Sequence, residues 1–113
     1  MKNKETDKEL EKEELLNTGR RLKEARDMRG YSQPDVEKVI KIGSSLISKY
    51  ERGKADPGSI KLKKFARFYR VSMDWLLGFT NDPTPIIVDS SLSEESKAEI
   101  IQYMNILKKK EGR

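Results

Sequence analysis

The side chains best able to do chemistry cluster in one short stretch, SSLISKYERGK, at residues 44–54. On a helix, Ser44, Ser45, Ser48 and Lys49 face away from Ile47 and Tyr50, with Arg52 and Lys54 following directly. Three hydroxyls and a run of cations are tools for recognition: they donate to phosphate oxygens and to the edges of bases. Tools for bond-making are scarce. The 113 residues include no His and no Cys, so the usual general base, thiolate nucleophile, thiolate metal site and disulfide are all missing. No pair of acids stands out in apolar surroundings, and no loop suited to a cofactor is present. We therefore expect no enzyme activity and no cofactor.

The charge is concentrated where those side chains lie. Residues 18–78 carry fifteen Lys and Arg against seven Asp and Glu, a net +8, while residues 1–17 carry −2 and residues 79–113 carry −1. A basic domain attracts polyanions through counterion release; charge alone fits a solvated lysine-rich surface as well. Hydrophobic residues make up 35% of the chain and charged ones 38%, which suffices for one compact core. No apolar run reaches the roughly 20 residues that a membrane span needs. The N-terminus has no hydrophobic stretch of the kind found in secretion signals. A reducing, cytoplasmic location and no membrane partner are the expectation.

The elements that must position the polar face are helices. Residues 1–17, dense in Lys and Glu with only Leu10, Leu15 and Leu16 as apolar members, are expected to be flexible over most of their length. Residues 18–29 read as a first helix, with Leu22, Ala25, Arg26 and Met28 at helical spacing and Gly30 as its stop. Ser32 caps a second, with Asp35 at capping-box distance, Pro34 tolerated in the first turn, and Val36, Val39 and Ile40 facing inward. Lys41, Ile42 and Gly43 form a tight turn. The third helix covers about residues 44–52, with Leu46, Ile47 and Tyr50 as inward candidates. Pro57 and Gly58 open a fourth bearing Ile60, Leu62, Phe65, Ala66 and Tyr69. A fifth spans about residues 72–77, with Met73, Trp75, Leu76 and Leu77 for the core. Residues 79–91 hold Pro83 and Pro85 and read as a linker with a short β-prone run, Ile86 to Val88. A last helix follows within residues 92–113.

Two short helices joined by three or four residues have helix-turn-helix spacing, in which the second helix lies in the DNA major groove. Three runs then carry a resemblance: GRRLKEARDMRGYSQ from Gly19 to Gln33, ISKYERGKADP from Ile47 to Pro57, and VSMDWLLG from Val71 to Gly78. In this order and spacing, residues 18–78 resemble the Cro and phage-repressor (xenobiotic response element, XRE) family of helix-turn-helix regulators. The resemblance implies an all-α, five-helix, lambda-repressor-like domain that binds a palindromic double-stranded DNA operator as a homodimer.

It also implies roles for single residues. Gln33 matches the glutamine that opens the second helix and touches a phosphate or orders the recognition side chains. Ser44, Ser45 and Lys49 match positions that reach base edges, flanked by Leu46 and Ser48; Leu46 suits a thymine methyl. Arg52 and Lys54 match positions beside the sugar-phosphate backbone. Arg26 and Glu51 match an ion pair that ties the first helix to the third. Three positions depart from the family. Glu37 replaces the usual alanine, Lys41 the glycine of the turn, and Gly43 the Ser or Thr cap.

The C-terminal helix carries Ile100, Tyr103, Met104 and Leu107 at i, i+3, i+4 and i+7. A helix of this length needs a partner. Its own domain, a different protein, or the same helix of a second chain would serve; the last is preferred as a dimerisation element. The leading function is transcriptional repression, with an antirepressor as a possible inactivating partner. Alternatives are the antitoxin of a toxin–antitoxin pair, its last helix clamping the toxin, and a helical adaptor that never reads DNA.

Overall fold

The first helix is longer than its sequence suggests. In the computed structural model, which describes residues 4–85, 94–95, 98–99, 101–102 and 105–106, α1 runs Lys4–Arg29 without a break. The segment expected to be flexible is thus helical from Lys4 onward. Its Lys, Glu and Leu content favours helix, and its last part is held by packing. A Cβ added at Gly53 would lie 2.9 Å from the Leu16 Cα, so the α1 backbone rests directly on that turn. A packed half supplies the nucleus from which the acidic half propagates.

Four shorter helices follow: α2 (Gln33–Ile40), α3 (Ser44–Glu51), α4 (Gly58–Tyr69) and α5 (Met73–Leu76). No strand occurs among the described residues. The Ser32 capping box forms in both directions: the Asp35 N–H donates to Ser32 Oγ at 3.2 Å, and the Ser32 N–H to Asp35 Oδ2 at 2.9 Å. Lys41 itself takes the left-handed conformation that closes α2, at φ 62°, while Gly43 stays extended at φ −60°. The left-handed residue costs of the order of 1–3 kcal/mol, and its N–H regains a bond to the Glu37 carbonyl.

Leu22 and Ala25 of α1, Val36 of α2, Ile47 and Tyr50 of α3, Leu62, Phe65, Ala66 and Tyr69 of α4, and Trp75 and Leu76 of α5 make one buried core with Ile42 and Val71. Phe65 stacks on Tyr69 and meets Tyr50 edge-on, a favourable aromatic geometry. Four apolar residues of these helical patterns lie outside, among them Val39 and Leu77, which were expected inside: Met28, Val39, Ile60 and Leu77 are 51%, 59%, 73% and 46% exposed. Each sits at the margin of its helix's apolar arc, and α2 is so short that only Val36 is fully buried, with Ile40 packed beside it.

The segment after α5, expected to be part of a linker, is fastened to the domain as far as it is described. The Arg21 guanidinium donates to the carbonyls of Trp75 and Thr80 and to Asn81 Oδ1, and it lies over the Trp75 ring. The Ser72 N–H donates to the Pro83 carbonyl at 2.9 Å. Residues 94–95, 98–99, 101–102 and 105–106 are helical. Ile100, Tyr103, Met104 and Leu107 lie outside the described residues.

Candidate nucleic-acid interface

Helix α3 is gripped from both sides. Ile47 and Tyr50 are buried, so the opposite face must point outward. Ser45 and Lys49 are exposed, Ser44 and Ser48 half-buried, and Leu46 half-buried against the core. The start of α3 is therefore open to a ligand. Arg52 and Lys54 stand exposed just past its C-terminus, with Arg52 Nε bonded to the Ser48 carbonyl at 3.3 Å. The Lys54 N–H donates to the Lys49 carbonyl at 2.8 Å, which folds that turn back on α3.

The far end of α3 is fixed by charge. Arg26 Nε donates to Glu51 Oε2 at 2.7 Å and its terminal nitrogen to Oε1 at 2.9 Å, a two-point grip across α1 and α3. The hydrogen bond to Glu51 holds the guanidinium above even its usual high pKa. A third donation, from Arg26 to the Tyr31 carbonyl at 2.8 Å, ties in the α1–α2 turn. The Gln33 side-chain amide donates to Glu51 Oε1 at 3.1 Å and so joins α2 to this pair.

Three further residues shape the site that motif matching did not single out, and a fourth, Glu37, was singled out only as a departure from the family. Gly19 lies against the end of α3, where an added Cβ would be 2.4 Å from the Tyr50 carbonyl oxygen. A glycine inside a helical run was the available signal. Gly53, at φ +69°, carries the Leu16 crossing. Lys61 donates to the Tyr50 hydroxyl at 3.0 Å and braces α3 from α4. Glu37, the departure from alanine, accepts the Ser44 N–H at 2.5 Å and supplies the cap that Gly43 lacks.

Two carboxylate bonds, Glu37 to Ser44 and Asp35 to Ser32, make the helix-turn-helix acid-sensitive. The Ser44 N–H pulls Glu37 below its ordinary value of 4.5, and the Ser32 N–H pulls Asp35 below 3.8. A carboxylate whose folded pKa is depressed stabilises the fold fully above its unfolded value and loses that contribution as pH falls through the folded one. Thermal melts should therefore be flat at neutral pH and fall progressively below about pH 4.5. Replacing Glu37 and Asp35 with Gln and Asn should flatten that acid limb, and an unchanged limb would refute the assignment.

Among the described residues no helix is long and apolar enough to cross a membrane, and no three acids are placed to hold a metal ion. An exposed polar helix start on a basic bundle, braced by a part-buried ion pair, defines a helix-turn-helix domain. The helix-turn-helix family pattern matches residues 22–76. The chain is 36% identical over 98 residues, 76% of its own length and 91% of the relative, to the SPbeta prophage-derived uncharacterized HTH-type transcriptional regulator YonR of Bacillus subtilis. It is 43% identical over 63 residues, 56% of its length, to the HTH-type transcriptional regulator ImmR of the same organism, and spans half of that relative. The crystal structure of the DNA-binding domain of BldD superposes with a TM-score of 0.55 at 28% identity, covering 58% of this chain and 96% of that one. This chain belongs to the XRE-type helix-turn-helix family of transcriptional regulators.

Proposed function

We propose that this chain is a sequence-specific transcriptional repressor that binds a palindromic operator as a homodimer. The observation that carries the reading is the exposed start of α3, with Ser45 and Lys49 in the open on a domain of net +8. On this reading α3 enters the major groove. Lys49 donates to guanine O6 or N7, Ser44, Ser45 and Ser48 reach neighbouring edges, and Leu46 adds apolar contact. Arg52 and Lys54 neutralise phosphates. Ile100, Tyr103, Met104 and Leu107 pair with the same stripe of a second chain and set two α3 helices about 34 Å apart.

Selection of bound duplexes from a random pool tests the whole. It should return two inverted half-sites about one helical turn apart; a lone half-site would overturn the dimer, and no motif at all would overturn the reading. Within the selected operator, Lys49→Ala should cost roughly 1–3 kcal/mol and relax one base position. Lys54→Ala should weaken all duplexes alike and lower the salt slope by about one unit. Equal losses for both variants on operator and random DNA would contradict these roles.

A further inference from the structure

The tip of α3 carries a negative charge on a domain of net +8. Glu37 is solvent-exposed, and Ser44, whose N–H its carboxylate accepts, is the first residue of α3. The carboxylate is thus a fixed feature of the helix tip, held by a backbone bond and by the positive end of the helix dipole. A carboxylate has about four acceptor positions, so sites remain for a donor arriving from outside. Its presence also changes what the tip will accept. The Ser44 N–H that a phosphate oxygen would otherwise take is occupied, and the charge repels any acceptor that approaches.

Only a hydrogen-bond donor on the DNA satisfies such a group. In the major groove, cytosine presents its N4 amino hydrogen, guanine only N7 and O6 acceptors, thymine an O4 acceptor, and adenine an N6 donor next to a repelling N7. Resting on the DNA-binding reading above, we propose that Glu37 is a specificity-determining residue. Its carboxylate accepts the N4 amino hydrogen of a cytosine at the base pair facing the start of α3, and it disfavours DNA that offers none. Glu37 raises selectivity more than affinity, because the same charge opposes every non-cognate duplex.

Pool selection with the full chain and with Glu37→Gln is the test. The glutamine keeps the shape and an acceptor for the Ser44 N–H, removes the charge and adds a donor. The wild type should require cytosine at one position of each half-site. Glu37→Gln should lose about tenfold in that preference and bind random duplex more tightly. A variant motif identical to that of the wild type, with stability and all affinities reduced together, would make Glu37 a helix cap only and overturn the proposal. The wild-type protein supplies a second readout. N4-methylcytosine keeps the Watson–Crick pair but replaces the groove-facing amino hydrogen, and at the required position it should weaken binding about tenfold. Unchanged binding at every cytosine of the half-site overturns the proposal even if the variant does not fold. Failure of the underlying reading looks different, because the wild type would then select no motif.

Discussion

Arg26→Ala lowers the stability of the domain by about 3–5 kcal/mol, the cost of stranding a buried charge. The side chains of Arg26 and Glu51 are only 11% and 5% exposed. Removing the guanidinium takes away both bonds to Glu51 and the one to the Tyr31 carbonyl. Glu51 would keep only the Gln33 amide at 3.1 Å, too little for an ionised group largely shielded from water. For a domain of this size the loss corresponds to a fall in Tm of roughly 12 °C or more. The pair Lys23 and Asp27 is equally close at 2.8 Å, but both side chains are more than half exposed. Its removal should change little, since water replaces each partner. Urea unfolding of the two alanine variants checks the contrast. The double variant Arg26→Met with Glu51→Met should recover most of the loss, because two packed apolar side chains leave no charge to satisfy. A loss below about 1 kcal/mol in Arg26→Ala would place this pair with ordinary surface pairs.

Gly19→Ala destabilises by about 3 kcal/mol although it puts the best helix former into a helix interior. Propensity alone predicts a gain of roughly 0.5–1 kcal/mol. Packing reverses the sign. The new Cβ would lie 2.4 Å from the Tyr50 carbonyl oxygen and 2.7 Å from that of Glu51, both backbone atoms that no side-chain rotation can move away. Helix α1 must lift off the end of α3, and overpacking of this kind costs 1–3 kcal/mol or more. The Arg26–Glu51 grip lies two turns further along the same seam, so the displacement also tilts α3. Gly19→Ala should accordingly lose operator affinity in binding titrations under conditions where it is still folded. A stabilised variant with normal binding would show that the two helices do not meet at Gly19.

The two variants separate what was readable in the residue string from what was not. The third helix and its outward face follow from local rules. Ile47 and Tyr50 share one side of a short helix, and Ser44, Ser45, Ser48 and Lys49 take the other, because side-chain direction in a helix is set by spacing alone. The Ser32 capping box is equally local, since its two bonds join residues three apart. The pairing of Arg26 with Glu51 was available only through the resemblance to a family, because 25 residues separate them and no local pattern joins distant charges.

Elsewhere, local reasoning gave way to contacts made at a distance. The acidic start of α1 reads as flexible by composition, and it is helical because Leu15 and Leu16 bring it against the rest of the fold. Ile60 and Val39 fit apolar arcs, but neighbouring helices cover only the centre of each arc. Lys61 reads as a solvent lysine until α4 is seen to place it at the Tyr50 hydroxyl. Residues 79–85 read as linker until Arg21 is seen to hold them.

The residue order by itself determined the number and order of the five helices, most of their core and the basic polar face, since these depend on spacing, capping and net charge. Only the folded chain decided that Glu37 caps α3, that Lys41 and not Gly43 bends the turn, and that Gly19 must lack a side chain. Those three facts depend on how closely two backbones come together, and that distance is set by the packing of the whole domain.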